Sequence, residues 1–110
     1  MARFVRGDVV VVPFPFSDLS HTKRRPALVV AELEDGDRIL CQITSQAIHD
    51  KYSIVLDGPD FESGELKRES HIRPNRLFTA DERLILYCAG HLRLEKFEEV
   101  ISRIIEILKA

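Results

Sequence analysis

Apolar positions along this chain come in short unbroken runs, and only near the C-terminal end do they switch to a helical period. The first run, GDVVVVPFPF from Gly7, opens on a Gly-Asp turn signal followed by four β-branched valines, a pattern too short for a helix and rich in strand formers. Pro13 and Pro15 have no N–H to give, so this strand is expected to end near Val12 or to continue as a sheet edge. A polar loop, SDLSHTKR at residues 17–24, leads into a second apolar strand, PALVVAEL. Asp35-Gly36 then makes a tight-turn signal into a third, RILCQITS, so the second and third strands are expected to form a hairpin. In KYSIVLD, Tyr52, Ile54 and Leu56 alternate with Ser53, Val55 and Asp57, which predicts a further strand.

GPDFESGELKRES reads as a long, mostly acidic connection. HIRPNRLFT resumes an extended pattern: Pro74 restricts Arg73 to extended geometry, and alternation puts His71, Arg73 and Asn75 on one face. Thr79 to Glu82 has the form of a capping box for a short helical turn, while LILYCAG fits strand and helix equally. From Leu92 the period changes. Leu94, Phe97, Ile101, Ile104, Ile105 and Leu108 follow the three-to-four spacing of an amphipathic helix, expected over residues 92–110. Five or so short strands followed by one helix, with no alternation of strand and helix, predict a mainly β fold with a C-terminal α-helix, a small antiparallel barrel over residues 1–90 closed by that helix.

Length and charge narrow the picture. With 110 residues, 45% of them hydrophobic and 31% charged, the chain fits one globular domain and one core. No apolar run approaches the roughly 18 residues of a membrane span, and the N-terminus lacks the apolar region of a signal peptide, so a cytoplasmic protein without membrane association is expected. The net charge of −2 conceals an asymmetry. Residues 1–30 carry five bases and two acids, 31–66 two and nine, 67–92 five and three, and 93–110 four and four. Two basic segments flank an acidic one, an arrangement suited to a local anion site rather than to polyanion binding by the whole surface. Cys41 and Cys88 sit in apolar stretches and are expected in the core. No phosphate-cradling glycine loop, zinc pattern or nucleophile elbow is present, and the four histidines match no metal spacing, so no metal and no cofactor is called for.

What remains is a set of polar residues at strand ends. Lys23, Arg24 and Arg25 precede the second strand, Thr44, Ser45 and Gln46 follow the third, and His71, Arg73 and Asn75 occupy the later extended segment. The succession GDVV, VPFPFSD, KRRPALVV, QITSQ and DFESGELKRESHIRPNRLFT, ending in an amphipathic helix, resembles the MazF/PemK toxins of type II toxin–antitoxin systems over essentially the whole chain. Gly7-Asp8, Arg25-Pro26 and Ile43-Thr44-Ser45 are its most specific parts.

The resemblance implies an SH3-like barrel that forms a homodimer, cuts single-stranded RNA such as messenger RNA without a metal, and is neutralised by a cognate antitoxin. It places phosphate stabilisation and proton donation on Arg25, and phosphate hydrogen bonding on Thr44 with Ser45 beside it. In the PemK branch an R-x-D element supplies an arginine and a carboxylate with acid and base roles. Its arginine falls on Arg73, but Asn75 stands where the carboxylate belongs, and a neutral amide cannot take up a proton. His71, two residues from Arg73, is the candidate base in its stead, and Asn75 is left to a turn or a base edge.

Such cleavage needs a base for the ribose 2′-OH, an acid for the departing 5′-oxygen, and cations for the phosphorane charge. Arginine suits the last task, since its fork gives two parallel hydrogen bonds to phosphate and keeps its charge. The products would be a 2′,3′-cyclic phosphate and a 5′-hydroxyl, and DNA, lacking the 2′-OH, would be spared. Lys23, Arg24 and Gln46 are candidates for RNA attraction. Phe14 and Phe16 either stack on bases or pack in a core or dimer interface. Two rivals stand beside this reading: a non-catalytic relative, whether a gyrase-inhibiting toxin or an RNA-binding module, and a plain interaction domain. Arg25-Pro26 and Thr44 speak against the gyrase inhibitor, whereas Asn75 favours lapsed catalysis.

Overall fold

The computed structural model describes residues 3–14 and 23–110, with the side chain of Phe14 excepted. Seven strands and one helix follow in the order β1 (Asp8–Phe14), β2 (Lys23–Glu32), β3 (Asp37–Thr44), β4 (Ile54–Leu56), β5 (Phe61–Gly64), β6 (Ser70–Asp81), β7 (Tyr87–Leu92) and α1 (Leu94–Lys109). The strands form one antiparallel sheet in the order β4-β6-β3-β2-β1-β7-β5. Its two edges, β4 and β5, do not pair with each other, so the sheet curls into a half-barrel. Leu66, just past β5, packs against the core in the opening.

The unbroken apolar runs have a simple cause: the central strands are buried on both faces. Val9, Leu28, Val30, Cys41 and Ile43 point into a core inside the curl, where Phe97, Val100 and Ile104 of α1 close it. The alternate residues Val10, Val12, Ala27, Val29 and Leu40 enter a second core on the outer face, covered by Phe4 and Ile85. A strand with both faces buried has no polar positions to alternate with, which is why VVVV and ALVV read as continuous.

Several expectations are corrected. β2 begins at Lys23, not at Pro26, because Lys23 pairs with Phe14 and Arg24 with Pro13. β1 accommodates Pro13 because pairing with β7 stops at Val11, leaving no ladder bond on that side for a proline to break. The acidic connection contains β5, paired with β7; Gly64, at φ 73°, provides the left-handed turn where the two backbones meet. The turn at Glu82–Leu84 is capped by Asp81, whose carboxylate accepts from the Arg83 N–H at 2.8 Å, while Thr79 stays within β6. LILYCAG resolves into the end of that turn and β7. α1 starts at Leu94, since Leu92 belongs to β7, and it buries Val100 whereas Leu94, Ile105 and Leu108 are exposed. Cys41 is buried as expected, but Cys88 is exposed.

The Gly7-Asp8 opening is a lock. Gly7 has φ 97°, and a Cβ there would lie 2.9 Å from the His91 ring. Asp8 accepts from the Val5 N–H at 2.9 Å and bonds His91 Nδ1 at 2.8 Å, tying the start of β1 to the end of β7.

Candidate functional site

The sheet register aligns the polar residues that the sequence scatters. Ala27 pairs with Gln42, so in the same antiparallel register Arg25, two residues earlier, lies opposite Thr44, two residues later. Thr44 in turn pairs with His71, and Arg25 with Val12 on its other side. Residues directly opposite one another share a sheet face, so Arg25, Thr44 and His71 form one row across β2, β3 and β6. Strand spacing places the backbone of His71 roughly 10 Å from that of Arg25, with Thr44 between. The row lies on the face away from the inner core, because the neighbouring pair Ile43 and Ile72 is part of that core.

Thr44 is 5% exposed, and its Oγ1 accepts from the Gln46 N–H at 3.1 Å, a turn that ends β3 and leaves Ser45 and Gln46 exposed. His71 Nδ1 is buried without a hydrogen-bond partner among the described residues, and so is Arg73 Nε. Buried polar atoms of this kind are uncommon.

The same strand ends frame a cavity of about 340 Å³, whose lining takes in Arg25 and Thr44 of the row but not His71. Its floor is Val11, Pro26 and Ile43; Arg24, Arg25, Lys67 and Arg68 bring four cations, and Thr44, Ser45, Ser70 and Tyr87 complete the walls. No acidic side chain lines it among the described residues, and none of the four cations is ion-paired with a described acid. Positive charge is thus concentrated beside hydroxyl groups in a protein of negative net charge, a composition that attracts anions.

Arg73 is placed differently from the sequence reading. β6 carries a large irregularity: Ile43 pairs with Ile72, yet Cys41, two residues away, pairs with Leu77. Residues 73–76 face only Gln42 on the partner strand, so simple alternation fails there and His71, Arg73 and Asn75 do not make one continuous row. The Cys41 thiol donates to the Arg73 carbonyl at 3.1 Å and helps hold this bulge. Arg73 lies 3.6 Å from Asp50 and outside the cavity lining, while Asn75 is exposed on the bulge. Asp50 accepts from the backbone N–H groups of Ser53 and Tyr52; these, with Arg73 beside it, hold its carboxyl below the usual carboxylate range. Lys23 is exposed at the start of β2. Phe14 ends β1 opposite Lys23, and Phe16 lies outside the described residues.

Lys67, Arg68, Ser70 and Tyr87 were not singled out from sequence. The Lys-Arg pair was visible there, but inside a connection read as acidic, and nothing local says that it folds over the ends of β2 and β3. Among the described residues no three His, Cys, Asp or Glu side chains are placed to hold a metal, and no helix is long and apolar enough to cross a membrane.

A curled antiparallel sheet closed by one C-terminal helix, with a cationic cleft at its strand ends, defines a small half-barrel protein. Residues 5–108 match the model of the PemK-like, MazF-like toxins of type II toxin–antitoxin systems, and the chain belongs to that family. Among solved structures it is similar to the MazE–MazF complex from Deinococcus radiodurans, with a TM-score of 0.76 and 19% identity over 94% of each chain. It is also similar to a mycobacterial endoribonuclease in complex with its cognate antitoxin, with a TM-score of 0.74 and 13% identity over 96% of this chain and 95% of that one. A third likeness is to the toxin MazF-mt6 of Mycobacterium tuberculosis, with a TM-score of 0.72 and 12% identity over 93% and 96%. No curated protein matches the sequence significantly. These structural likenesses carry the fold: the expected mainly β barrel with a C-terminal helix is present.

Proposed function

We propose that this chain is an endoribonuclease toxin that cuts single-stranded RNA at a short sequence, leaving a 2′,3′-cyclic phosphate and a 5′-hydroxyl, and that a cognate antitoxin neutralises it. The observation that carries the reading is the row Arg25, Thr44, His71 beside a cleft with four cations and no described acid. In this reading Arg25 grips a non-bridging phosphate oxygen and protonates the departing 5′-oxygen. Thr44 and Ser45 donate further hydrogen bonds to the phosphate, and His71 takes the 2′-OH proton as the 2′-oxygen bonds to phosphorus. Asn75, neutral and exposed, stays outside the proton transfers. Arg73 orients the chain from the flank, and Lys23, Arg24 and Gln46 guide the RNA backbone. The toxin acts as a homodimer: Leu84 and Leu86, exposed on either side of Ile85 in sequence, offer apolar side chains to a second copy. A monomer by light scattering would remove that element.

The test is a long single-stranded RNA incubated with the purified protein in EDTA, with the ends mapped. Arg25→Ala is expected to slow cleavage by about two to three orders of magnitude, the usual effect of removing one donor to a developing oxyanion. Uncut RNA with the wild type, or equal cutting by the variant, would sink the assignment and leave a non-catalytic relative.

A further inference from the structure

The loop between β3 and β4, residues 45–53, carries a carboxylate that the proposed cleavage leaves unused. Asp50 is exposed, yet its position is fixed. Its Oδ1 accepts from the Ser53 N–H at 2.8 Å and the Tyr52 N–H at 2.9 Å, which closes a tight turn on the side chain. Arg103 of α1 secures the same turn from the helix, donating to the Lys51 carbonyl at 3.2 Å and the Tyr52 carbonyl at 3.0 Å. The other carboxylate oxygen, Oδ2, faces Arg73 Nη2 at 3.6 Å. Arg73 opens the β6 bulge, where no regular ladder with β3 holds it, and Asp50 is its ion-pair partner among the described residues. Asn75, on the same bulge, is neutral and exposed and offers it no charge.

This pair has a place in the fold that an ordinary surface ion pair lacks. Thr44 and His71 are register partners. The loop leaves β3 at Thr44 and runs to Asp50, while β6 runs from His71 to Arg73. Contact between Asp50 and Arg73 therefore closes a ring around the Thr44–His71 pair, with Ser45 and Gln46 on the loop arm. We infer that Asp50 is a positioning residue for the proposed cleavage: anchored by its own turn and by α1, its carboxylate holds Arg73 on the strand segment next to His71 and keeps the arm carrying Ser45 in place against β6. The inference rests on the endoribonuclease reading and deepens it by adding a residue that acts through Arg73. Asp50 is unsuited to take the 2′-OH proton itself. The Ser53 and Tyr52 N–H groups, with Arg73, hold its carboxyl below the usual carboxylate range, so it stays ionised through neutral pH and accepts protons poorly. An ion pair this open to solvent adds little stability, and what it contributes is geometry.

The test separates the charge from the turn. Asp50→Asn keeps an oxygen for the Ser53 and Tyr52 N–H groups and removes the charge that faces Arg73, so its urea midpoint should equal that of the wild type. Cleavage of a single-stranded RNA in EDTA should slow roughly 5- to 100-fold in kcat with KM unchanged, between the worth of a partly exposed ion pair and the penalty for about 1 Å of misplacement. The kcat–pH profile should keep its wild-type shape. Arg73→Gln should slow cleavage by at least as much, and adding Asp50→Asn to it should cost nothing further, because the carboxylate acts through the arginine. A wild-type kcat in Asp50→Asn, a change confined to KM, a pH limb lost with the carboxylate, or additive losses in the double variant would each overturn the positioning role while leaving the nuclease intact. A urea midpoint that falls together with kcat would assign the effect to folding and overturn it too. RNA left uncut by the wild type would overturn both readings.

Discussion

Arg25 has its position fixed twice at the residue scale, by Pro26 after it and by pairing with Val12 beside it. That double anchoring distinguishes it from Lys23, which is equally cationic but exposed at the strand's first residue. His71, paired with Thr44 but outside the cleft lining, is the base in the proposed reading. His71→Ala is expected to slow cleavage by about two to four orders of magnitude, the usual contribution of a positioned general base, and an unchanged rate removes it as the base. Asp8 belongs to the same scale but serves stability. Its carboxylate accepts from the Val5 N–H and bonds His91, so Asp8→Asn forfeits charge-assisted hydrogen bonds in a largely buried setting. A loss of about 1 to 3 kcal/mol is expected, read as a lower urea midpoint at constant slope, and no loss would mean that His91 holds the strand end unaided.

Among the elements, the helix and the sheet divide the work. α1 adds nothing to the cleft lining; it closes the inner core with Phe97, Val100 and Ile104. Phe97 also carries the Arg6 guanidinium 5.1 Å from its ring centre, joining the N-terminal segment to the helix. Phe97→Ala is expected to cost about 3 to 5 kcal/mol, measurable by thermal or urea unfolding, and a cost under 1 kcal/mol would show that the helix is not what seals the core. The helical period was plain in the sequence, yet the stripe was misjudged at its ends. Leu94 and Leu108 lie at the two ends of the helix and are exposed, and which helical positions the sheet covers is not written in the helix's own residues. β6 gives the converse lesson. Its alternation pattern gave no sign that residues 73–76 would bulge, because the bulge is a mismatch with β3 and exists only once the strands pair.

For the whole molecule, the inner core leaves a signature in the pH dependence of stability. Cys41 is fully buried, and burial pushes its thiol up to about 12. A raised folded value means that the unfolded chain loses the proton first. The contribution is therefore complete below the ordinary thiol range near pH 8.5 and is lost as pH rises toward about 12. Unfolding free energies from urea titrations at pH 8 to 11 should fall with a slope that Cys41→Ala reduces by up to about 1.4 kcal/mol per pH unit. Identical slopes would place the alkaline sensitivity elsewhere. Arg38 is a second whole-molecule tie: 3% exposed, it donates to the Phe4 carbonyl at 2.9 Å and to Glu82 at 3.0 Å, joining β3, the N-terminal segment and the turn before β7.

The sequence by itself determined most of the strands, the helix, the family motifs and the polar residues at the strand ends. Four valines, the Asp-Gly turn, Arg25-Pro26 and the helical stripe are local signals, and local chemistry sets them. Tertiary structure alone decided that the apolar runs are buried on two faces, that Arg25 stands opposite Thr44 and Thr44 opposite His71, and that Arg73 is drawn aside to Asp50. It also decided that Lys67, Arg68 and Tyr87, which the sequence left in a connection and an unassigned stretch, share a cleft with Arg25. The physical reason is that pairing register is a relation between strands. A period of two tells which face a residue takes along its own strand, but the curl of the half-barrel and the bulge in β6 set which residue stands across from it.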